Sequence, residues 1–311
     1  MYLPHLTDAQ RARFERLASA TTLTDLLDIT GVESTDDAYL SAKREWRDLT
    51  DAGLPPASAS SELPGDRIEF DGLTVHVHGI THADTAAERR FVRDRVSAFT
   101  DDGAFVYCEQ GIRPMYFEGF DRVCEMDDYR WAAKQCRDLE SATHLEDVLG
   151  AGGGLMDDFH DATDELRSAL FSLIETGSDL YGHDFATAIG DVATAFLTRP
   201  TDLSVGRDYR SFELSRRAST DPTALERFQR YYKTAFLPPP IERAWLRRHD
   251  PELELVTHAR NERMADYVMH HNDEASRVHV LVGGAHQPGV TYYLGRYRDG
   301  ERTEGDFELS G

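Results

Sequence analysis

Lysine is almost missing from this chain. Lys43, Lys134 and Lys233 are the only three among 311 residues, so nearly all of the 34 cationic side chains are arginine. Against them stand 56 Asp and Glu, giving a formal net charge of −22. No basic stripe interrupts this pattern, which argues against a nucleic-acid partner, because phosphate neutralisation needs clustered Lys and Arg. Anionic membrane surfaces are disfavoured on the same ground. Cysteine is as scarce. Cys108, Cys124 and Cys136 form no Cys-x-x-Cys pair, so no disulfide framework is expected and a reducing compartment fits. No apolar run reaches the roughly 18 residues of a membrane helix. Met1-Tyr2-Leu3-Pro4-His5 has neither a charged n-region nor an apolar h-region, so no signal peptide is expected. These absences point to a soluble, cytoplasmic protein and leave a homo-oligomer open.

What is present is ordinary in one respect and unusual in another. Hydrophobic residues make up 40% and aromatics 10%, enough for a full core in one large domain or a domain with an insertion. The acidic excess is unusual. Such a surface repels itself in dilute buffer and is screened in concentrated salt. It reads as halophilic adaptation rather than as the imprint of a substrate.

Residues 7–20 and 36–50 have helical periodicity, with Thr7-Asp8 and Ser34-Thr35-Asp36 as starting caps. A Gly/Pro/Ser/Ala stretch from Gly53 to Gly65 closes this helical prefix, 1–65. Strand patterns follow at Ile68 to Phe70 and Leu73 to Val77, joined by the turn dipeptide Asp71-Gly72. A helix over Asp84 to Phe99 and a buried strand over Ala104 to Cys108 complete a strand–helix–strand unit, the expected start of a parallel sheet. A mostly helical insertion, about 128–250, then runs to the next strand at Val278. Within it Leu166, Leu170, Leu173 and Ile174 form an expected core stripe. Gly150 to Gly154 lacks the strand and Gly-Lys-Ser/Thr ending of a phosphate loop and reads as a connection. Asn261 to His271 is the last helix before the strand, and the tail from Gly289 to Leu309 reads as a short helix or strand and then a hairpin.

The chemistry concentrates in two Gly-x-x-His tetrads. Gly79-Ile80-Thr81-His82 follows the alternating strand Leu73 to His78, and Gly283-Gly284-Ala285-His286 follows the strand Val278 to Val282. Each histidine should stand just past a strand's carboxyl end, the edge where open α/β sheets place ligands. Gly79 and Gly283 would let a cofactor, ligand or second chain segment come close. Glu109 follows the next strand and should share that edge, as a metal ligand or general base, with Arg113 four residues on as its expected ion-pair partner. Arg260 and Asn261 head a helix and could bind an anionic or carbonyl oxygen beside free backbone N–H groups, although Asn261 could equally be a simple cap. Glu262 and Arg263 read as surface, and His249, His270 and His271 as solvated. His76 and His78 form the His-x-His string of amidohydrolase barrels, but the helical middle offers none of the further strand-end ligands such barrels need.

Four of these motifs, in order, resemble the TraB/GumN/Tiki superfamily, and more distantly the erythromycin-esterase and ChaN-like group. They are GITH after a strand, VYCEQGIR at 106–113, ARNERMADYV at 259–268 and VLVGGAHQPGVTYYL at 280–294. The resemblance covers roughly 66–120 and 255–295, within a domain spanning 66–311. It implies an α/β fold in which two related βα halves form a mixed sheet core around one cleft, with helices capping it. It also implies a divalent-metal-dependent hydrolase acting on a peptide or other carbonyl substrate, as in Tiki-type members. The residues carried over are Gly79, His82, Glu109, Arg260, Asn261, Gly283 and His286. The membrane-spanning segments of many TraB-type members and the secretory signal of Tiki-type members have no counterpart here.

On this reading His82, Glu109 and His286 hold Mn²⁺, Co²⁺ or Zn²⁺, which activates a water. Arg260 stabilises the developing oxyanion and Asn261 positions it. Without a metal, His82 and Glu109 would form a base and orienter pair. A non-enzymatic protein that binds a peptide or small-molecule ligand is the alternative, and a ligand-free scaffold a third. The charge alone yields a prediction. The thermal midpoint should rise steadily as KCl is raised from about 0.1 M to about 3 M, over which the Debye length shrinks to a few ångströms. A midpoint indifferent to salt removes the halophilic reading.

Overall fold

The computed structural model describes residues 3–54, 62–138, 169–174, 176, 188–190, 193–194, 199–272 and 275–303. At its centre is a five-stranded sheet of order β1-β2-β5-β3-β4. The strands are β1 (Asp66–Phe70), β2 (Leu73–Ile80), β3 (Phe105–Cys108), β4 (Val123–Glu125) and β5 (Arg277–Gly283). β1 and β2 form the antiparallel hairpin expected from Asp71-Gly72, with Gly72 at φ 80°, a conformation glycine adopts at little cost. Every other pair is parallel. The fold is therefore α/β with a mixed sheet, as the patterns predict.

Thirteen helices with described ends surround the sheet. α1 (Asp8–Ala18), α2 (Leu23–Thr30) and α3 (Thr35–Gly53) form the prefix. α4 (Ala86–Asp101), α5 (Ile112–Tyr116) and α6 (Asp128–Asp138) accompany the first strands. α7 (Pro200–Ser204), α8 (Tyr209–Thr220), α9 (Leu225–Ala235), α10 (Pro239–His249) and α11 (Pro251–Glu254) follow. A π-helical turn (Leu255–Ala259) leads into α12 (Arg260–His270), and α13 (Gln287–Arg298) follows β5.

The second tetrad does not build a half-sheet of its own. The β2–α4–β3 crossover skips one place in the sheet, and β5 fills it, with Ile80 opposite Gly283. Gly284 N–H then donates to Ile80 O at 2.9 Å, so the two tetrads leave one edge side by side. Strand alternation sorts the rest. Val75, Val77, Val278, Val280 and Val282 face α12 and α13, packing with Met264, Val268, Val290 and Leu294. Ile80, Val106, Cys108 and Leu281 face α4, α5 and α9, packing with Val92, Tyr116 and Phe228. Burying each such side chain contributes roughly 1.5–3 kcal/mol before entropy is counted. The result is three layers, helix–sheet–helix.

His76 and His78 share the α4 side of β2, as alternation requires, but they sit in mid-strand rather than at its end. The His279 ring stacks on Phe99 at 3.7 Å and on His76 at 4.9 Å. His78 Nδ1 lies 2.8 Å from Pro64 O, which can only accept, so that nitrogen carries the hydrogen. His78 Nε2 therefore accepts from His279 Nδ1–H at 2.9 Å. This His-x-His is a packed stack inside the layer.

The helical prefix shares a core with the end of the expected insertion. Leu17, Leu26, Tyr39 and Trp46 pack with Leu237, Ile241 and Trp245, and the Tyr39 and Trp245 rings stack at 4.5 Å. Thr7, Thr22 and Ser34 cap its three helices. Elsewhere the helical expectations need correction. Leu173 is 68% exposed, and Phe171 is the residue buried, against Tyr209 and Ala193. Leu166 and Gly150 to Gly154 lie outside the described residues, as do 304–311 of the expected tail hairpin. Arg263 is buried and pairs with Asp127 at 2.7 Å rather than facing solvent. Among the described residues no helix is long and apolar enough to cross a membrane.

Candidate functional site

β3 and β5 end side by side, and Glu109, the first residue past β3, extends the ladder through its N–H to Leu281 O at 2.9 Å. Its buried carboxylate accepts from Arg260 Nη2 at Oε1 and from the Gly283 N–H at Oε2, both at 2.7 Å. Arg113, the partner expected from spacing, turns away and donates to Val123 O at 2.9 Å. The i,i+4 rule holds on a helix, and Gly111 at φ 97° breaks the path between the two residues.

Arg260 is 7% exposed and bridges two acids. Besides Glu109 it grips Asp128 Oδ2 through Nε at 2.9 Å and Nη2 at 2.6 Å, with its guanidinium 4.9 Å from the Tyr129 ring centroid. Asp128 Oδ1 in turn accepts from Gln110 N–H at 2.9 Å. The guanidinium expected to meet a substrate oxyanion is thus engaged in holding two carboxylates. The free N–H groups expected beside it are also not there. α11, the π turn and α12 run on without a break, so positions 260 and 261 lie inside a helix. A π turn of this kind often marks a functional segment.

Asn261 is not a cap. Its Oδ1 lies 2.7 Å from His286 Nδ1. A carboxamide oxygen only accepts, so His286 Nδ1 carries the hydrogen and Nε2 presents a lone pair. Gly289, three residues past His286, is what admits Asn261, since a Cβ there would run into the Asn261 side chain. His286 Nε2 faces Glu109 Oε1 at 3.5 Å. Gly79 serves a similar purpose. A Cβ at Gly79 would meet Gln287 Oε1 at 2.7 Å and Gly284 Cα at 2.9 Å, so its glycine admits the second tetrad rather than a cofactor. At Gly283 the nearest such contact is Glu109 Oε2 at 3.4 Å.

His82 is held in an uncommon conformation, φ 63°, and Asp84 two residues on has φ 53°. Left-handed backbone at non-glycine residues costs on the order of 1–3 kcal/mol each and persists only where neighbours enforce it. Glu88, fully buried in the first turn of α4, does the enforcing. It accepts from Thr81 N–H at 2.7 Å, Thr81 Oγ1 at 2.6 Å, Ala83 N–H at 3.2 Å and Tyr116 Oη at 2.7 Å. Tyr116 Oη then accepts from Asp84 N–H at 2.9 Å. The turn so fixed leaves His82 Nε2 buried without a hydrogen-bond partner. His82 lies near enough to both Glu109 and His286 to act on them electrostatically. Glu88, Tyr116 and Asp128 were not expected as site residues; first-turn acids on helices are commonplace, and only the fold shows these two buried.

Beside His286 and Asn261 lies a cavity of about 220 Å³, walled by Val205, Tyr232, Phe236, His258 and Ala285. His258, in the π turn, is fixed by Ser204 O at 3.0 Å. The lining joins an apolar and aromatic side to a polar one that also includes Arg207 and Thr257, which suits a small acyl or aryl group beside a polar function.

The donors do not fit a divalent ion as they are arranged. Both Glu109 oxygens already have donors, and a guanidinium on Oε1 opposes a dication at the same atom. Among the described residues no three His, Cys, Asp or Glu side chains gather closely enough to hold a metal. The comparisons with known proteins add nothing to this geometry: no family model, no curated protein and no solved structure matches the chain.

Burial would raise the Glu109 pKa, but His286, Arg260 and the Gly283 N–H together pull it down to about 2. Asp128 goes the other way, to about 6, because burial and the adjacent Glu109 charge outweigh its share of Arg260. Burial also lowers His286 and His78 to about 4 and His279 to about 2. At neutral pH the pair is a neutral imidazole facing an ionised carboxylate.

Two predictions follow from these groups. An unfolded chain takes up histidine protons near pH 6.5, so the stability these neutral imidazoles contribute is whole above that pH and drains away as pH falls toward 4. Asp128, with its raised pKa, opposes this with one proton against three. The thermal midpoint at fixed high salt should therefore drop between about pH 7 and 4.5, with net proton uptake on unfolding; a flat or rising profile contradicts the burial assigned here. Arg260→Met should destabilise by about 3–5 kcal/mol in denaturant titration, since it leaves two buried carboxylates without their cation. An unchanged midpoint would mean that the acids are not buried charges.

Proposed function

We propose that the chain is a hydrolase that cleaves a small ester or amide, with His286 as general base. The observation that carries this reading is one imidazole with fixed roles at its two nitrogens. Nδ1–H is tied to Asn261, while Nε2 keeps its lone pair, faces an ionised carboxylate and borders a cavity of acyl size. The likeness of the tetrads and of the Arg-Asn pair to the TraB/GumN/Tiki superfamily supports the same class of reaction.

The substrate acyl group enters the apolar side of the cavity with its carbonyl toward the two histidines. A water donates to His286 Nε2 and attacks the carbonyl carbon, and its proton passes to Nε2. Glu109, kept ionised by Arg260 and Gly283, stabilises the imidazolium that results. His82, in the tautomer with hydrogen on Nε2, has a buried donor that lacks an acceptor, and the oxyanion of the tetrahedral intermediate supplies one. Collapse returns the proton from His286 to the leaving oxygen or nitrogen. Arg260 and Asn261 position other groups in this scheme, and no step passes through a metal.

The experiment is turnover of short-chain p-nitrophenyl esters and fluorogenic dipeptide amides in concentrated KCl. His286→Ala should lower kcat by about 10²–10⁴ and His82→Ala by about 10²–10³, with both variants folded. A chelator should leave the rate unchanged. Loss of activity on chelation restores the metal-dependent expectation against this one, and binding of these compounds without turnover indicates a ligand-binding protein.

A further inference from the structure

A second cavity, about 650 Å³, is bordered by α3, α7 and the end of α9. Residues 203–208 separate it in the chain from the His286 cavity, contributing Leu203 and Asp208 to one and Val205 and Arg207 to the other. Its wall carries Lys43, Arg44 and Arg47, while Val32, Leu40 and Leu203 form an apolar side. Three cations within about one turn of a single helix stand out in a chain with three lysines and a net charge of −22.

These cations have hydrogen-bond capacity left over. The Lys43 ammonium has three donors and one acceptor, Glu242 Oε1 at 2.6 Å. Its side chain is only 11% exposed, and the Tyr39 and Phe236 rings flank it at 5.4 and 5.3 Å. Arg47 Nη2 is shared between Asp208 at 2.8 Å and Tyr231 Oη at 3.0 Å, but its buried Nε has no partner. Arg44 is exposed and makes no ion pair among the described residues. Of the two acids in the wall, Asp208 is occupied by Arg47 and by the Ser211 N–H at 2.8 Å, which leaves Asp37. Buried donors without acceptors are costly unless something supplies the acceptor.

We propose that this cavity binds a small organic anion, a carboxylate or phosphate head on an apolar body. Lys43, Arg44 and Arg47 contact the head and Val32, Leu40 and Leu203 receive the body. A volume of this size holds a ligand well beyond a single ion. Arginine and lysine side by side suit an oxyanion, the fork binding two oxygens and the ammonium a third. The proposal is independent of the hydrolase reading.

Isothermal titration at constant KCl tests it with three probes: phenyl phosphate, 3-phenylpropionate and, as a cationic control, phenethylammonium. One or both anions should bind saturably and the cation should not, and the two anions tell a phosphate head from a carboxylate. Arg44→Glu should weaken the anion by at least about fivefold, near 1 kcal/mol, and His286→Ala should leave it unchanged. Lys43→Met should abolish binding; if that variant fails to fold because Glu242 loses its cation, the exposed Arg44→Glu decides. No saturable binding of either anion, equal binding of the cation, or indifference to Arg44→Glu overturns the proposal.

Discussion

One guanidinium between two buried acids is the constraint on which the candidate site depends. Arg260 lies in the layer between α12 and the sheet edge, and it can be buried there only because Glu109 and Asp128 meet it. The acids in turn can be ionised there only because Arg260 is fixed. Arginine serves this purpose and lysine does not, since a planar fork reaches two carboxylates in defined directions while an ammonium is a single point of charge. Removing Arg260 leaves two bare carboxylates in a low-dielectric layer, whereas removing either acid leaves a one-to-one pair, so the guanidinium is the member the other two depend on. Its position ties β3, β4's following helix and α12 together at the edge where both tetrads emerge. The ionised Glu109 that faces His286 is a consequence of that lock.

A second lock acts on the opposite side of the site and works through strain rather than charge. The turn carrying His82 uses left-handed backbone at two non-glycine residues. Glu88 and Tyr116 supply the hydrogen bonds that make this the lowest state of the turn. A strained turn fixed from behind keeps an imidazole from relaxing toward solvent, which is what a preorganised donor needs. Each lock includes one acid in the first turn of a helix, Asp128 in α6 and Glu88 in α4. In each case the helix start points at the sheet edge, so the geometry of the α/β layer does the gathering.

Much of this edge was legible in the sequence and some was not, for separable reasons. Strand alternation and glycine placement carried His82, Glu109 and His286 to the same edge, because period-two patterns and strand ends are local signals. The His-x-His face was legible for the same reason. Partner choice was not. Glu109 has an arginine four residues away, yet its partner is 151 positions distant; contact at that range is decided by which strand fills the gap between β2 and β3. β4 went unseen because three residues carry no periodicity, and with it went the strand-end location of Asp128. Arg260 and Asn261 read as a helix start because their upstream neighbours, Leu255 to Ala259, gave no sign that a π turn would carry the helix through. Gly289 was quoted only as part of a motif, and its physical use, making room for Asn261, needed the packing.

The scarcity of lysine acquires an interior explanation once these pairs are seen together. Arg243 engages Glu254, Glu262 and the Tyr293 hydroxyl, and Arg302 engages both Asp266 and Glu262. With Arg260, each of these half-buried or buried cations neutralises more than one acid. In a chain with 56 acids and 34 cations, a cation that serves two carboxylates at once lowers the charge left unpaired inside the fold. Concentrated salt screens the surface excess, but it reaches buried pairs far less. The surface excess and the buried acids are therefore separate problems, and the bifurcating arginines address the second. Lys43 stands outside this scheme, with a single carboxylate and spare donors turned toward a cavity. Of Lys43 and Lys233, each paired with one carboxylate, Lys43 is the more buried, at 11% side-chain exposure against 25%, and it is Lys43 that lines this cavity.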